Sequence, residues 1–175
     1  MKKALSSGVA AALAVTAILA VTSVPAAAQV EKLEGKAFDS AYVRDFYLEG
    51  NSIPTQKRNT VVVKGADGKR LVFSLLDTTG YSSEIQQKYV GMLIFERPVT
   101  LGSAKVGAGA YGFGLRKPQP PEGPGTFFVY DVGGARVAET QASHDAEIAR
   151  PVPLSVATKD GKSRLYVGRH WVEVQ

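Results

Sequence analysis

The sequence predicts a mostly β fold, an antiparallel β-sandwich or alternatively a small β-barrel, with one short helix near residues 81–89. Three observations carry this prediction. Many short segments rich in β-branched and aromatic residues follow one another, separated by glycine turns. Two pairs of these segments are joined by compact Gly/Asp connections of the kind found in hairpins. The stretch Val106–Leu115 alternates large and small side chains, as a pleated strand requires.

The stretch Val106–Leu115 is expected to be a central strand. Tyr111 and Phe113 fall on one of its faces, whereas the other face holds only alanine or glycine at positions 108 to 114. Glycine weakens an isolated strand, so this strand needs neighbours that pack on it or approach its backbone closely. We therefore expect the rest of the sheet to be built around it.

The N-terminus has the order of a cleavable secretory signal peptide over residues 1–28. Lys2 and Lys3 come first, an apolar run follows over 9–21, and small residues end the segment at Ala26–Ala28. The alternative is a membrane anchor, but the apolar run is shorter than the roughly 20 residues that a spanning helix needs. A lipoprotein anchor is excluded because the chain has no cysteine. We expect an exported protein, periplasmic or extracellular, with no transmembrane segment in the mature chain.

Size and charge narrow the class of protein further. Removing the first 28 of 175 residues leaves 147, the size of one ordinary domain, so residues 29–175 are expected to form a single β domain. The net charge then falls from +5 to +3, because the removed part holds two lysines and no acids. A small excess of positive charge that is scattered along an exported chain argues against nucleic-acid binding. Without cysteines, stability must come from the apolar core.

The remaining segments are assigned in chain order. Polar residues predict a loosely held lead-in over 29–40, and loop-forming residues predict connections over 50–54 and 118–125. The last of these is proline-rich and cannot join a central ladder. Two hairpins are predicted, one joining 60–64 to 71–76 and the other joining 152–158 to 164–167. The full set of further predicted strands is 41–49, 60–64, 71–76, 92–95, 99–101, 126–132, 135–141, 152–158, 164–167 and 169–174.

One segment departs from the strand pattern. Tyr81, Ile85 and Tyr89 recur every fourth residue, and Ser82 or Thr79 can cap the start of a helix. We expect a short amphipathic helix here, packed over one end or edge of the sheet.

The two histidines are the candidates for catalysis or metal binding. His144 follows Ser143 and precedes Asp145 in a polar segment expected to be a loop, but neighbours in an extended chain point to opposite sides and do not form a catalytic triad. His170 alternates with apolar residues and is expected to be a core or edge histidine. A zinc site would have to combine both histidines with carboxylates. We therefore predict no catalytic residue, no metal site and no cofactor. The sequence does not decide whether the protein is an enzyme, but it favours a protein that is not one.

The last strand offers a candidate binding surface. Arg169 and Trp171 lie on its polar face, and Tyr166 in the preceding strand can share that face. An exposed aromatic pair among polar residues can stack on a sugar or seat a partner. The alternative is that another element covers this face. Trp171, Tyr166 and Arg169 are thus the predicted ligand-binding residues.

Parts of the chain resemble small exported bacterial β-sandwich proteins of unassigned function. The resemblance rests on the Gly-x-Tyr hairpin over 99–113. In this hairpin a strand is followed by a short turn, and a Gly-Ala-Tyr sequence then leads into the next strand. The segments Tyr81–Tyr89 and Gly168–Glu173 also resemble segments of these exported bacterial proteins. The resemblance implies a sandwich and secretion, and it carries over no catalytic residue.

These observations favour an exported, non-enzymatic β-sandwich that acts as an envelope-associated or extracellular binding module. Its partner is expected to be a carbohydrate, a lipid or an envelope component. One alternative is a lipocalin-like barrel that binds an apolar small molecule inside. A second alternative is a hydrolase or metal enzyme that uses His144 or His170.

Overall fold

The computed structural model describes residues 30–120 and 122–175. The predicted signal peptide, 1–28, lies outside the described residues. Two short helices are present in the described chain, α1 (Gly35–Ala41) and α2 (Ser83–Lys88). The strands are β1 (Glu31–Lys32), β2 (Asp45–Leu48), β3 (Asn51–Lys64), β4 (Arg70–Leu76), β5 (Gly91–Phe95), β6 (Val99–Leu101), β7 (Ala104–Val106), β8 (Gly109–Arg116), β9 (Gly125–Tyr130), β10 (Arg136–His144), β11 (Leu154–Lys159), β12 (Lys162–Val167) and β13 (His170–Val174).

The strands form one curled antiparallel sheet, a half-barrel. Its order is β1-β3-β4-β5-β8-β9-β10-β13-β12-β11, with β2 paired to β3 and with β6 paired to both β7 and β13. Because the sheet curls, its last strand β11 also lies against β3. The core is therefore enclosed between facing parts of the same sheet. The predicted mostly β, antiparallel class with a short helix near 81–89 is confirmed.

Two apolar clusters lie on opposite faces of the sheet. The inner cluster fills the curl and draws on β3 to β13, with Phe113 and Phe127 stacked at a centroid distance of 5.0 Å. The outer cluster lies on the opposite face of β3, β4 and β5 and is covered by β2, α1 and α2. Its members include Phe46 from β2 and Ile85 from α2. The alternation of strand side chains thus sorts the residues between these two clusters.

The glycine-rich strand β8 begins at Gly109 and not at the predicted Val106, which ends β7, and it is central, as predicted, between β5 and β9. Phe113 points into the inner cluster and is fully buried. On the opposite face, α2 lies directly on the backbone of β8: a Cβ at Gly114 would stand 2.3 Å from the carbonyl oxygen of Lys88, and a Cβ at Gly112 would stand 2.6 Å from the Tyr89 ring. Glycine is needed at both positions because the end of the helix occupies the space of a side chain.

The structure corrects three further predictions. The lead-in contains α1, whose Phe38 packs against the outer cluster and stacks on Tyr42 at 6.0 Å. The expected loop over 50–54 is the start of β3. Pro54 is tolerated there for two reasons. Its carbonyl oxygen accepts a hydrogen bond from the amide of Asp77, and its position opposite Asp45 in the edge pair with β2 requires no backbone N–H donor. His144 is the last residue of β10 and not part of a loop, because it pairs with β13.

The proline-rich connection does join β8 to β9. Over the described residues, neither helix has the length and apolar character that crossing a membrane would require.

Candidate functional site

A cleft of about 360 Å³ lies on the outer face of β11 and β12. Its floor contains Ser155, Ala157 and Tyr166, whose side chains point away from the inner cluster because their neighbours Leu154 and Leu165 point into it. The connection from β10 to β11 forms the opposite wall. A volume in this range is typical of small-molecule sites.

The wall of the cleft is the segment 145–152, and hydrogen bonds hold it at both ends. The Nε of Arg169 donates to the carbonyl oxygen of Ile148 at 3.0 Å, and the amide of Asp145 donates to the carbonyl oxygen of Arg169 at 2.9 Å. Further along, the amide of Gly168 donates to the carbonyl oxygen of Pro153 at 3.2 Å. The turn between β12 and β13 therefore fixes the shape of the cleft.

An ion-pair group closes one side of the cleft. The ammonium of Lys159 lies 3.3 Å from a carboxylate oxygen of Asp145 and 3.8 Å from one of Glu147. The hydrogen bond and charge of Asp145 raise the pKa of Lys159 above its usual value. The other oxygen of Asp145 accepts from the amide of Glu147 at 3.1 Å. The charge of Lys159 is therefore balanced within the protein.

Arg150 is the other cation at the cleft, and its environment is different. Its side chain lines the cleft and is exposed to solvent. Within residues 30–120 and 122–175, it takes part in no ion pair. The apolar side chains Ile148 and Val152 lie on either side of it along the chain and line the same cleft. The site thus combines an apolar surface with one unbalanced positive charge.

The three predicted ligand-binding residues lie together, but not as an open aromatic platform. Tyr166 and Trp171 are directly opposite in the β12–β13 pair, with ring centroids 6.3 Å apart. Tyr166 is only 6% exposed and forms part of the cleft floor. Trp171 is half-buried, and the guanidinium of Arg164 covers its ring at 4.0 Å. Arg169 contributes to the cleft only indirectly, by donating a hydrogen bond to the carbonyl oxygen of Ile148 in its wall.

The covering of Trp171 has a physical reason. The Nε of Arg164 is buried without a hydrogen-bond partner among the described residues, and the contact with the indole ring stabilises this cation in the absence of one. The guanidinium also contacts the exposed Asp160 at 3.1 Å. A sugar could stack on this face of the indole only by displacing Arg164.

The two histidines form a pair inside the curl. They are opposite each other in β10 and β13, with ring centroids 5.1 Å apart. His170 is 3% exposed, and its Nε2 donates to the carbonyl oxygen of Gly123 at 3.0 Å. Burial lowers the pKa of His170, with the nearby charges of His144 and Lys117 acting in the same direction, against the Gly123 hydrogen bond.

Within residues 30–120 and 122–175, neither histidine is grouped with a nucleophile or with a set of metal ligands. Ser143 pairs with Trp171 on the outer face whereas His144 pairs with His170, so the two neighbours point to opposite sides of the strand. Asp145 is held by Lys159 at the cleft. In the described part of the chain, no three His, Cys, Asp or Glu side chains are grouped so that they could hold a metal ion.

A second cleft, of about 320 Å³, lies beside the last residue of the chain. It is lined by Val99, Lys105 and Gln175 among others, and contains one charged side chain and no aromatic ring. The cleft at 145–168 is therefore the stronger candidate site.

The sequence identified Tyr166 and Arg169 but not the cleft itself. Asp145, Arg150 and Lys159 were missed as parts of one site because no motif links the β10–β11 connection, which holds Asp145 and Arg150, to Lys159 at the end of β11. The available signal was indirect: a connection of mixed apolar and charged residues between two strands of a hairpin-rich sheet. Comparison with known proteins adds no further guide, because no family model, no curated protein and no solved structure matches this chain.

Proposed function

We propose that the protein is an exported binding module, not an enzyme, and that it holds a small ligand in the cleft on the outer face of β11 and β12. The observation that carries the proposal is the cleft itself. It has an apolar and aromatic floor, a charged rim, and a wall fixed by the Arg169–Ile148 hydrogen bond. Binding sites in proteins commonly combine a largely apolar surface with a few placed polar groups.

The packing of the interior favours an outer site over a lipocalin-like inner one. Phe73, Phe95, Phe113 and Phe127 are almost fully buried inside the curl and occupy the space that an apolar ligand would need. The commitment of the His170 Nε2 to the Gly123 carbonyl likewise favours a structural role over hydrolytic or metal chemistry. The outer cleft is the alternative that remains accessible to a ligand.

A neutral fluorescent probe tests the cleft. N-phenyl-1-naphthylamine gains fluorescence when it enters an apolar site, so we expect saturable binding to the protein lacking residues 1–28. Ala157→Phe places a ring in the cleft and is expected to abolish binding, because Ala157 is exposed on the cleft floor. Ala135→Phe adds the same ring at an exposed turn position outside the cleft and is the matched control. Equal binding by wild type and Ala157→Phe would contradict the proposal.

Export is tested separately. The charged start, the apolar run and Ala26–Ala28 support cleavage after residue 28. We expect the full chain, expressed in a Gram-negative host, to be recovered outside the cytoplasm with an N-terminus at Gln29, as read by mass spectrometry. Recovery of the uncleaved chain from the cytoplasm would contradict export and leave the cleft proposal intact.

A further inference from the structure

We propose that the ligand of the outer cleft is an amphipathic monoanion, a carboxylic acid with an apolar chain such as a medium-chain fatty acid. The carboxylate would bind at Arg150, and the chain would lie on Ile148, Val152 and Tyr166. This inference rests on the proposed binding function of the cleft and adds the chemical class of its ligand. Three features of the site decide that class.

The first feature is the charge balance at the rim. Lys159 is already neutralised by Asp145 and is also close to Glu147, so it offers little net attraction to a further anion. Arg150 lines the same cleft with no carboxylate partner in the described chain. A guanidinium binds a carboxylate through two parallel hydrogen bonds, which fixes the head group in position. The unbalanced charge therefore selects an anionic head group.

The second feature limits the ligand to a single negative charge. The carboxylate of Asp145 lines the same cleft as Arg150, and the carboxylate of Glu147 lies 3.8 Å from the ammonium of Lys159, so both would repel a strongly charged head group. A phosphate monoester carries about −1.5 to −2 charges near neutral pH, whereas a carboxylate carries only one. One unpaired cation in a cleft that also holds the Asp145 carboxylate therefore favours a head group with a single negative charge.

The third feature is the surface beneath the head group. Ile148, Val152 and Ala157 provide aliphatic contacts, and the ring of Tyr166 lies in the floor. Val152 is 52% exposed, so a bound chain would cover apolar surface that now faces water. Tyr166 is too deeply buried to offer a free face for stacking, and Trp171 is covered by Arg164. These contacts favour an aliphatic chain over a sugar ring.

Competition against bound N-phenyl-1-naphthylamine tests the class of ligand. The competitors share a ten-carbon chain and differ in the head group: decanoate, decyl phosphate, decanol and decyltrimethylammonium, each used below its micelle concentration. We expect decanoate to displace the probe about tenfold more effectively than decanol, as a charge-assisted hydrogen bond implies. We expect decyl phosphate to be weaker than decanoate and the cationic amphiphile to be the weakest. Equal displacement by all four would contradict the inference.

Variants of Arg150 locate the effect. Arg150→Gln removes the charge and is expected to reduce displacement by decanoate about tenfold, measured relative to displacement by decanol on the same variant. Arg150→Lys keeps the charge and is expected to retain part of the preference. Arg116→Gln is the matched control, since Arg116 is also exposed but contacts Phe128 outside the cleft.

The two proposals fail in different ways. If Arg150→Gln leaves the preference for decanoate intact while Ala157→Phe abolishes probe binding, the cleft binds a ligand but Arg150 does not select it. If cellobiose displaces the probe and decanoate does not, the ligand is a sugar and the present inference is wrong. If the probe does not bind in the cleft at all, the proposed function itself is wrong.

Discussion

His170 illustrates how a single residue combines predictable and unpredictable features. Its alternation with Val172 and Val174 predicts a buried ring, and the structure shows the ring 3% exposed. The partner of that ring could not be predicted, because the Gly123 carbonyl belongs to a proline-rich connection 47 residues away in sequence. The sequence places a side chain on a face of its strand, but it does not say which distant loop will cover that face.

We predict a pH dependence of stability from His170. Its pKa is lowered in the folded protein, mainly by burial, so the unfolded chain binds more protons than the folded one below about pH 6.5. The free energy of unfolding should therefore be fully maintained above pH 6.5 and should fall as the pH decreases below it. The slope cannot exceed about 1.4 kcal/mol per pH unit for one group. Urea titrations between pH 7.5 and 5 measure it.

Two variants separate this effect from other titrations. His170→Gln keeps a donor for the Gly123 carbonyl but does not titrate, so its stability should change less over pH 7 to 5. His144→Gln leaves His170 in place and should keep most of the decline, because burial is the main cause of the lowered pKa of His170. Carboxylates such as Glu49 and Glu173, whose pKa values are lowered by hydrogen bonds from Lys88 and Lys162, contribute only at lower pH. An unchanged slope in His170→Gln would show that the buried ring is not responsible.

At the scale of elements, local chemistry predicts the segments that depend on their own residues. Helix α2 is capped by Ser82, whose hydroxyl accepts from the amide of Ile85 at 3.3 Å, and both hairpins form across their Gly/Asp turns. Helix α1 was missed because it has no side-chain cap, and it forms where Phe38 can pack on the outer cluster. Packing of the partly buried Phe38 on the outer cluster therefore stabilises this helix, and a polar sequence does not reveal that contact.

The contact between α2 and β8 gives a prediction about Gly114. In Gly114→Ala, the new methyl group would meet the carbonyl oxygen of Lys88 at 2.3 Å, and a backbone atom cannot move away without shifting the helix end. We expect a loss of about 1–3 kcal/mol in the free energy of unfolding. Gly107→Ala is the control, because its methyl group would lie 3.6 Å from the Tyr111 hydroxyl, an ordinary contact. Equal stability of the two variants in urea would contradict this account of the glycines.

At the scale of the whole molecule, the half-barrel depends on pairings between strands that are distant in sequence. Alternating side chains predict a layered β protein, but they do not predict that β13 lies between β10 and β12 and also pairs with β6. Many partners could satisfy the same alternation, and the choice among them is made by the fit of the entire core. The candidate cleft cannot be predicted from the sequence for the same reason, since it exists only after β10, β11 and β12 are brought together.

The position of β13 predicts what happens when the chain is shortened. A chain ending at Arg169 loses the strand that joins the β11–β12 hairpin to β10, together with the backbone hydrogen bonds between Thr100 and Gln175 at 2.9 and 3.0 Å. The inner cluster loses Val172 and Val174, worth about 1.5–3 kcal/mol each, from a total stability of roughly 5–15 kcal/mol.

We therefore expect the shortened chain to lose its cooperative urea transition, followed by circular dichroism, because β6, β10 and β12 all lose their pairing with β13 at once. Removing residues 30–32 is the contrasting deletion. It takes away the two-residue edge strand β1, whose side chains are exposed, and the partly buried Val30 at the margin of the inner cluster, and a cooperative transition should remain. If the chain ending at Arg169 unfolds with an unchanged slope and midpoint, β13 is not the strand that unites the sheet, and the cleft beside it would form independently of the rest of the half-barrel.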